Sequence, residues 1–219
     1  MPDAGHNFGA DRAGDRSGTR GRAPAPRPGA TRRISCCAAV IRRAAGVVLA
    51  GGQARRFGED KAMALYRGRR LIDWSLAALE PYAELLLVSG HEHPKHLVVA
   101  DLPEAGLGPL GGLAGALSIA ANRGFSHLLS VPCDTPHIPP ALLAELASSE
   151  EACYAESCPI IGCWPTDLAP ALIAYLANGM PRAVRRWAAH VGATAIGGYP
   201  EIENINHSAD LAALAQRNG

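Results

Sequence analysis

Apolar runs alternate with amphipathic stretches along most of this chain. "AGVVLA" (residues 45–50), "ELLLVS" (84–89), "HLVVA" (96–100) and "HLLSV" (127–131) are short, nearly continuous apolar runs, the form taken by strands covered on both faces. Between them, "LIDWSLAAL" (71–79) places Ile72, Leu76 and Leu79 on one helical face, and "GLAGALSIAAN" (112–122) places Leu113 and Leu117 one turn apart. Another helix begins near Pro139, because proline suits a first helical turn. The remainder is less regular. "ACYAE" and "PIIGCW" predict two strands joined at Ser157-Cys158, helices are predicted over 167–177 and 181–190, and "ATAIGG" predicts a short strand. Ser208 is placed to cap a last helix, with Asp210 in its first turn. This alternation predicts an α/β domain with a central, mostly parallel sheet covered on both faces. Ligands of such sheets lie beyond the carboxyl ends of the strands, so the residues just after each strand carry the functional question.

Charge separates the chain into two parts. Residues 1–43 carry a formal +6 and residues 44–219 a formal −5, within a total of +1. Residues 1–33 hold almost no large apolar side chain and cannot offset the entropy of ordering. They predict a disordered basic tail over 1–43, ahead of one domain over 44–219. "TRRIS" (31–35) has a faint look of a twin-arginine signal, but the apolar run after it is short and ends at Arg42-Arg43. The acidic balance of the domain gives no reason to expect nucleic acid, and no stretch is long enough to span a membrane. Cys153, Cys158 and Cys163 are evenly spaced, yet no fourth ligand stands at metal-site spacing. Buried reduced thiols in a cytoplasmic protein are the expectation.

The first strand runs into "GGQARRFGEDK" (51–61). It is neither G-x-G-x-x-G nor a Walker A loop: five residues separate Gly52 from Gly58, and Lys61 falls two residues too late. Its physics is still that of phosphate binding. Glycines let backbone N–H groups approach an anion, and Arg55, Arg56 and Lys61 supply positive charge for a triphosphate and a leaving pyrophosphate. A glycine turn with solvated arginines is the competing reading. Asp101 and Asp134 each follow a predicted strand, where two carboxylates can share a Mg²⁺ ion. Each alone is equally a loop, turn or cap aspartate.

The stretch "LAGGQARRFGEDK" (49–61) resembles the L-A-G-G-x-S-x-R-M-G-x-D-K signature of the molybdenum cofactor guanylyltransferase family, within the wider nucleotidyltransferase superfamily. Ala54 and Phe57 depart mildly from it. "GPLGG" (108–112) and "CDTP" (133–136) resemble two further motifs of the family. The resemblance covers about residues 45–212. It implies a three-layer α/β/α Rossmann-like nucleotidyltransferase fold. It also implies a nucleotide site formed by Leu49, Ala50, Gly51, Gly52, Arg55, Lys61, Ser89, Asp101, Gly108, Pro109, Leu110 and Asp134. Ser89 stands where the family commonly has Asn. Lys61, Asp134 and Arg56 would be the catalytic residues, with Mg²⁺ on Asp134 and Asp101.

The C-terminal motifs are looser. "ENIN" (203–206) resembles a family element carrying two asparagines, here Asn204 and Asn206, with His207-Ser208-Ala209 in place of the usual residues after it. A turn and helix cap is the rival reading. Cys158 stands where the family often has His. Arg182 and Arg185, three apart in a predicted helix, would share a face and could hold a phosphate, while a solvated basic face including Arg186 is the competing reading. Arg182, Asn204 and Asn206 are the acceptor candidates. By resemblance the reaction is GMP transfer from GTP to molybdenum-bearing molybdopterin, with no general base and no covalent intermediate. Molybdenum-insertion proteins and apo-molybdoenzymes or their chaperones would be partners. The alternatives are a cytidylyltransferase of the same cofactor or a sugar-phosphate nucleotidyltransferase, and a non-catalytic nucleotide-binding or partner-docking relative.

Overall fold

The structure is a computed structural model that describes residues 43–51, 61–205 and 210. The central sheet has the order β5-β4-β1-β6-β8-β7-β9. Its strands are β1 (Ala44–Leu49), β4 (Leu85–Ser89), β5 (Leu97–Val99), β6 (His127–Pro132), β7 (Cys153–Ala155), β8 (Gly162–Pro165) and β9 (Thr194–Ile196). β1 pairs in parallel with β4 and β6, β4 with β5, and β7 with β9. β8 pairs antiparallel with both β6 and β7, so it alone in this sheet runs backwards. The mostly parallel sheet expected from the sequence is present.

All of β1 is buried, because it has a strand on each side and helices on each face. Alternate side chains go to opposite faces. Val47 and Leu49 join the core under α2 (Pro109–Asn122), α4 (Ala169–Ala177) and α5 (Val184–His190). Val48 joins the core under α1 (Leu71–Leu79) and α3 (Pro140–Ser148). The result is the three-layer arrangement that the resemblance implies.

Three local readings are corrected. α2 begins at Pro109 rather than Gly112, so "GPLGG" is a helix start: Gly108 has a φ of 69° and Pro109 opens the first turn. The 181–190 helix starts only at Val184. Ala183 is extended (φ −77°, ψ 128°), and Pro181 biases the residue before it away from helix. Arg182 therefore lies before the helix and does not share a helical face with Arg185. β7 and β8 are joined by all of residues 156–161 rather than by Ser157-Cys158 alone. That turn is closed by Cys158 N–H to Ala155 O (3.1 Å) and Ile161 N–H to Cys158 O (2.9 Å). The predicted cap Ser208 lies outside the described residues.

One element has no counterpart in the sequence reading. Residues 65–70 form an antiparallel hairpin, β2 (Leu65–Tyr66) and β3 (Arg69–Arg70). Its turn residues Arg67 and Gly68 have φ of 52° and 74°. Two positive φ values at a two-residue turn match the twist of a tight hairpin.

Candidate active site

The chain leaves β1, builds β4 and β5 on one side of it, and then returns to place β6 on the other. The crevice at such a reversal is where open α/β sheets bind ligands. The carboxyl ends of β1 and β6 carry the first candidates. Leu49, Ala50 and Gly51 end β1; Asp134 follows β6. Lys61 opens a 3-10 turn over Lys61–Met63. Its ammonium donates to Asp134 Oδ2 at 2.7 Å, with the two side chains 19% and 22% exposed. The signature lysine and the "CDTP" aspartate, far apart in sequence, thus meet in one half-buried pair.

Backbone contacts fix the floor of this crevice. Ala50 N–H donates to Ser89 O at 2.8 Å, and Cys133 N–H donates to Leu49 O at 3.2 Å. Gly51 and Gly90 come so close that a Cβ on Gly90 would lie 2.3 Å from the Gly51 backbone. Helix α2 is seated as tightly. A Cβ on Gly112 would lie 2.2 Å from Ser89 Oγ, one on Gly115 2.0 Å from Ala100 O, and one on Gly111 2.9 Å from Asp101 Cβ. These glycines bring the helix start, with Gly108, Pro109 and Leu110, against the ends of β4 and β5. Ser89 is buried beneath Gly112, only 2% exposed.

Asp101 folds the loop that leads into α2. Its Oδ2 accepts from Gly106 N–H at 3.1 Å and Leu107 N–H at 3.2 Å. Arg182 reaches the same loop, donating to Gly106 O at 3.3 Å. Arg185 donates instead to Glu156 O.

Asn204 lies on the other side, next to Asp134. Ile205 N–H donates to Asp134 O at 2.9 Å, and the Asn204 side chain hydrogen-bonds the Cys158 thiol. Burial pushes the Cys158 pKa up, and the nearby Asp134 carboxylate adds to that, so the thiol is protonated at neutral pH. Arg182 and Asn204 thus contact different elements. Gly52, Arg55, Arg56 and Asn206 lie outside the described residues.

Residues 46–194 match the family described as the MobA-like NTP transferase domain. The chain belongs to that family. It is 36% identical over 181 residues to a molybdenum cofactor guanylyltransferase of Cereibacter sphaeroides, covering 76% of this chain and 93% of that protein. A molybdenum cofactor guanylyltransferase of Acidiphilium cryptum is 34% identical over 179 residues, covering 76% and 91%. Among solved structures, molybdopterin-guanine dinucleotide biosynthesis protein A from Archaeoglobus fulgidus superposes with a TM-score of 0.64 at 19% identity, over 80% of this chain and 98% of that one. The 2-C-methyl-D-erythritol 4-phosphate cytidylyltransferase of Thermus thermophilus superposes with a TM-score of 0.59 at 18% identity, over 78% and 97%. These two likenesses show that the NTP transferase domain fold is shared.

The sequence reading missed some neighbours of the site. Cys158 was noted as a departure, but nothing local to it announces contact with Asp134 and Asn204. Gly90 and Gly115 hold no recognised motif, and only their place after or across from a strand end could have flagged them. The hairpin had a signal in Arg67-Gly68, although Arg-Gly is not among the usual Asn-Gly or Asp-Gly turns.

Proposed function

We propose that the protein transfers GMP from GTP to the terminal phosphate of molybdenum-bearing molybdopterin, releasing pyrophosphate and forming the guanine dinucleotide form of the cofactor. The observation that carries this is the Lys61–Asp134 pair, which joins the two most specific motifs at the carboxyl ends of β1 and β6. An acceptor phosphate oxygen attacks the α-phosphorus, the bond from α-phosphorus to the bridging oxygen breaks, and pyrophosphate leaves with the electron pair. The acceptor phosphate is already anionic, so no general base is required. Catalysis then rests on positioning and charge neutralisation.

The residues fit a divalent metal. Asp134 and Asp101 offer hard carboxylate oxygens, and the Lys61 ammonium on Asp134 Oδ2 is a cation already standing where a metal ion would compete for the same oxygen. Asp134 and Asp101 would hold Mg²⁺, which when bound would supply charge neutralisation to the phosphates. Lys61, with Arg55 and Arg56 of the same loop, holds the β- and γ-phosphates. The backbone of Leu49, Ala50, Gly51 and Gly52 lines the phosphates, and Ser89 with Gly108, Pro109 and Leu110 shapes the nucleoside side. Asn204, Asn206 and Arg182 are assigned to the acceptor, Arg182 being bonded to the loop that Asp101 holds. The enzyme works in the cytoplasm, where its thiols stay reduced, and passes its product toward apo-molybdoenzymes or their chaperones.

The test is pyrophosphate release with GTP or CTP, Mg²⁺ and molybdenum-loaded molybdopterin. Release with GTP and not CTP is expected. Release with CTP alone would overturn the base assignment, and release with neither, beside an active control enzyme, would overturn the acceptor or the reaction itself.

A further inference from the structure

The β2–β3 hairpin is built for more than linking Lys61 to α1. Tyr66, Trp74 and His137 form an aromatic cluster with ring centroids 5.3 to 5.9 Å apart. Tyr66 is 1% exposed, with its hydroxyl 3.0 Å from His137 Nε2. The Trp74 indole donates to Tyr66 O at 3.0 Å. Two guanidinium groups lie on this cluster: Arg67 Cζ is 5.6 Å from the Tyr66 ring centroid, and Arg69 Cζ is 5.2 Å from that of Trp74. Tyr66 also shares a small apolar cluster with Leu71 and Ile205.

That cluster ties together the three segments bearing Lys61, Asp134 and Asn204. Lys61 opens the 3-10 turn that runs into β2, and Ala64 N–H closes back onto Lys61 O at 3.2 Å. Asp134 lies three positions before His137, and Ile205, bonded to Asp134 O, follows Asn204. A second observation sets the tip apart. Arg67 is the one described non-glycine residue with positive φ, at 52°, where Gly or Asn adopts the turn more easily. A long cationic side chain held in an unfavourable backbone region points to a use for the side chain.

We infer that Arg67, Arg69, Trp74 and His137 form the acceptor subsite, taking a fused pterin-type heterocycle whose phosphate is carried on a methylene arm. This rests on the reading above that the acceptor is molybdopterin. The aromatic edges and guanidinium planes meet the ring, and the two arginines offset its phosphate charge. The nucleotide is left to the β1, β4 and α2 side.

Trp74 allows a direct readout. The other two tryptophans, Trp164 and Trp187, are 0% exposed in the core. Adding molybdopterin without GTP is expected to quench Trp74 fluorescence, and Trp74→Phe is expected to abolish the change. Arg67→Gly relieves the turn, so its melting midpoint should hold or rise, while acceptor affinity falls about tenfold and GTP affinity is kept. Arg69→Ala should act in the same direction. If wild-type enzyme turns over but Trp74 does not respond, or Arg67→Gly binds the acceptor as well as wild type, the subsite is wrong and the reaction stands. If molybdopterin neither binds nor reacts, both fall.

Discussion

The two sides of the crevice are made specific in different ways. On the side proposed for the nucleotide, β4, β5 and α2 meet through backbone. Gly90, Gly111, Gly112 and Gly115 each stand where a Cβ would come within 3 Å of a neighbour. On the side proposed for the acceptor, the hairpin meets His137 and the 156–161 turn meets residues 203–205 through side chains: Tyr66 with His137, Cys158 with Asn204, and Arg67 over the Tyr66 ring. A backbone-built wall permits little substitution but presents groups common to every nucleoside triphosphate. A side-chain-built wall can change its ligand without losing its fold. Of the departures from the family motifs among the described residues, Ser89 falls on the first wall and Cys158 on the second.

The largest expected effect lies at the seam between the walls. Asp134→Asn keeps the size of the side chain and removes the charge that faces the Lys61 ammonium. Pyrophosphate release should fall at least about 100-fold, as for loss of one group stabilising developing charge. Thermal melting should move little, since the pair is only partly buried. Near-normal turnover would show that neither wall depends on this seam.

Next comes the backbone wall. Gly115→Ala drives a methyl group to 2.0 Å from Ala100 O, a main-chain atom between β5 and Asp101 that cannot turn aside. Overpacking of this kind costs about 3 kcal/mol, and a domain of this size should then melt about 10 °C lower. Asn204→Ala, on an exposed residue of the other wall, should leave melting unchanged while raising the acceptor KM. If the glycine variant melts normally, or the asparagine variant melts like it, the contrast between the walls fails.

The same division explains what could be read from the chain. β1, β4, β5 and β6 were legible because each strand is a compact apolar run, and the loops after β1, β5 and β6 carry motifs or a carboxylate; Lys61 and Asp134 could be paired in function before they were seen in contact. Helix starts were misplaced at Pro109 and Val184, where a positive φ at Gly108 and an extended Ala183 set the boundary and leave little trace in periodicity. The hairpin left only Arg67-Gly68 as a mark, because two-residue strands have no period. Its role depends on contacts between positions about 70 residues apart, such as Tyr66 with His137. Arg182 and Arg185 looked like a pair only while a helix was assumed to contain both.

The smallest effect is also the finest comparison, because each wall carries a histidine with a lowered pKa. For His96, beside the nucleotide wall, burial is the main cause, and the neighbouring His93 lowers it further, partly opposed by Glu80 and Asp73. For His137 burial again leads, but the next cause is Arg67, opposed by Glu203. In both, the folded form binds protons less readily than the unfolded chain. Stability should therefore be complete above about pH 6.5, the ordinary histidine value, and fall as pH drops below it toward the folded pKa. Arg67→Gly removes a cause acting on His137 alone. In an NMR titration of the imidazole protons, the His137 midpoint should move up toward its ordinary value while that of His96 stays in place. If both midpoints move, the hairpin communicates with the nucleotide wall; if neither moves, Arg67 does not lie over the cluster in solution, and the side-chain-built wall loses the cation on which its acceptor selectivity rests.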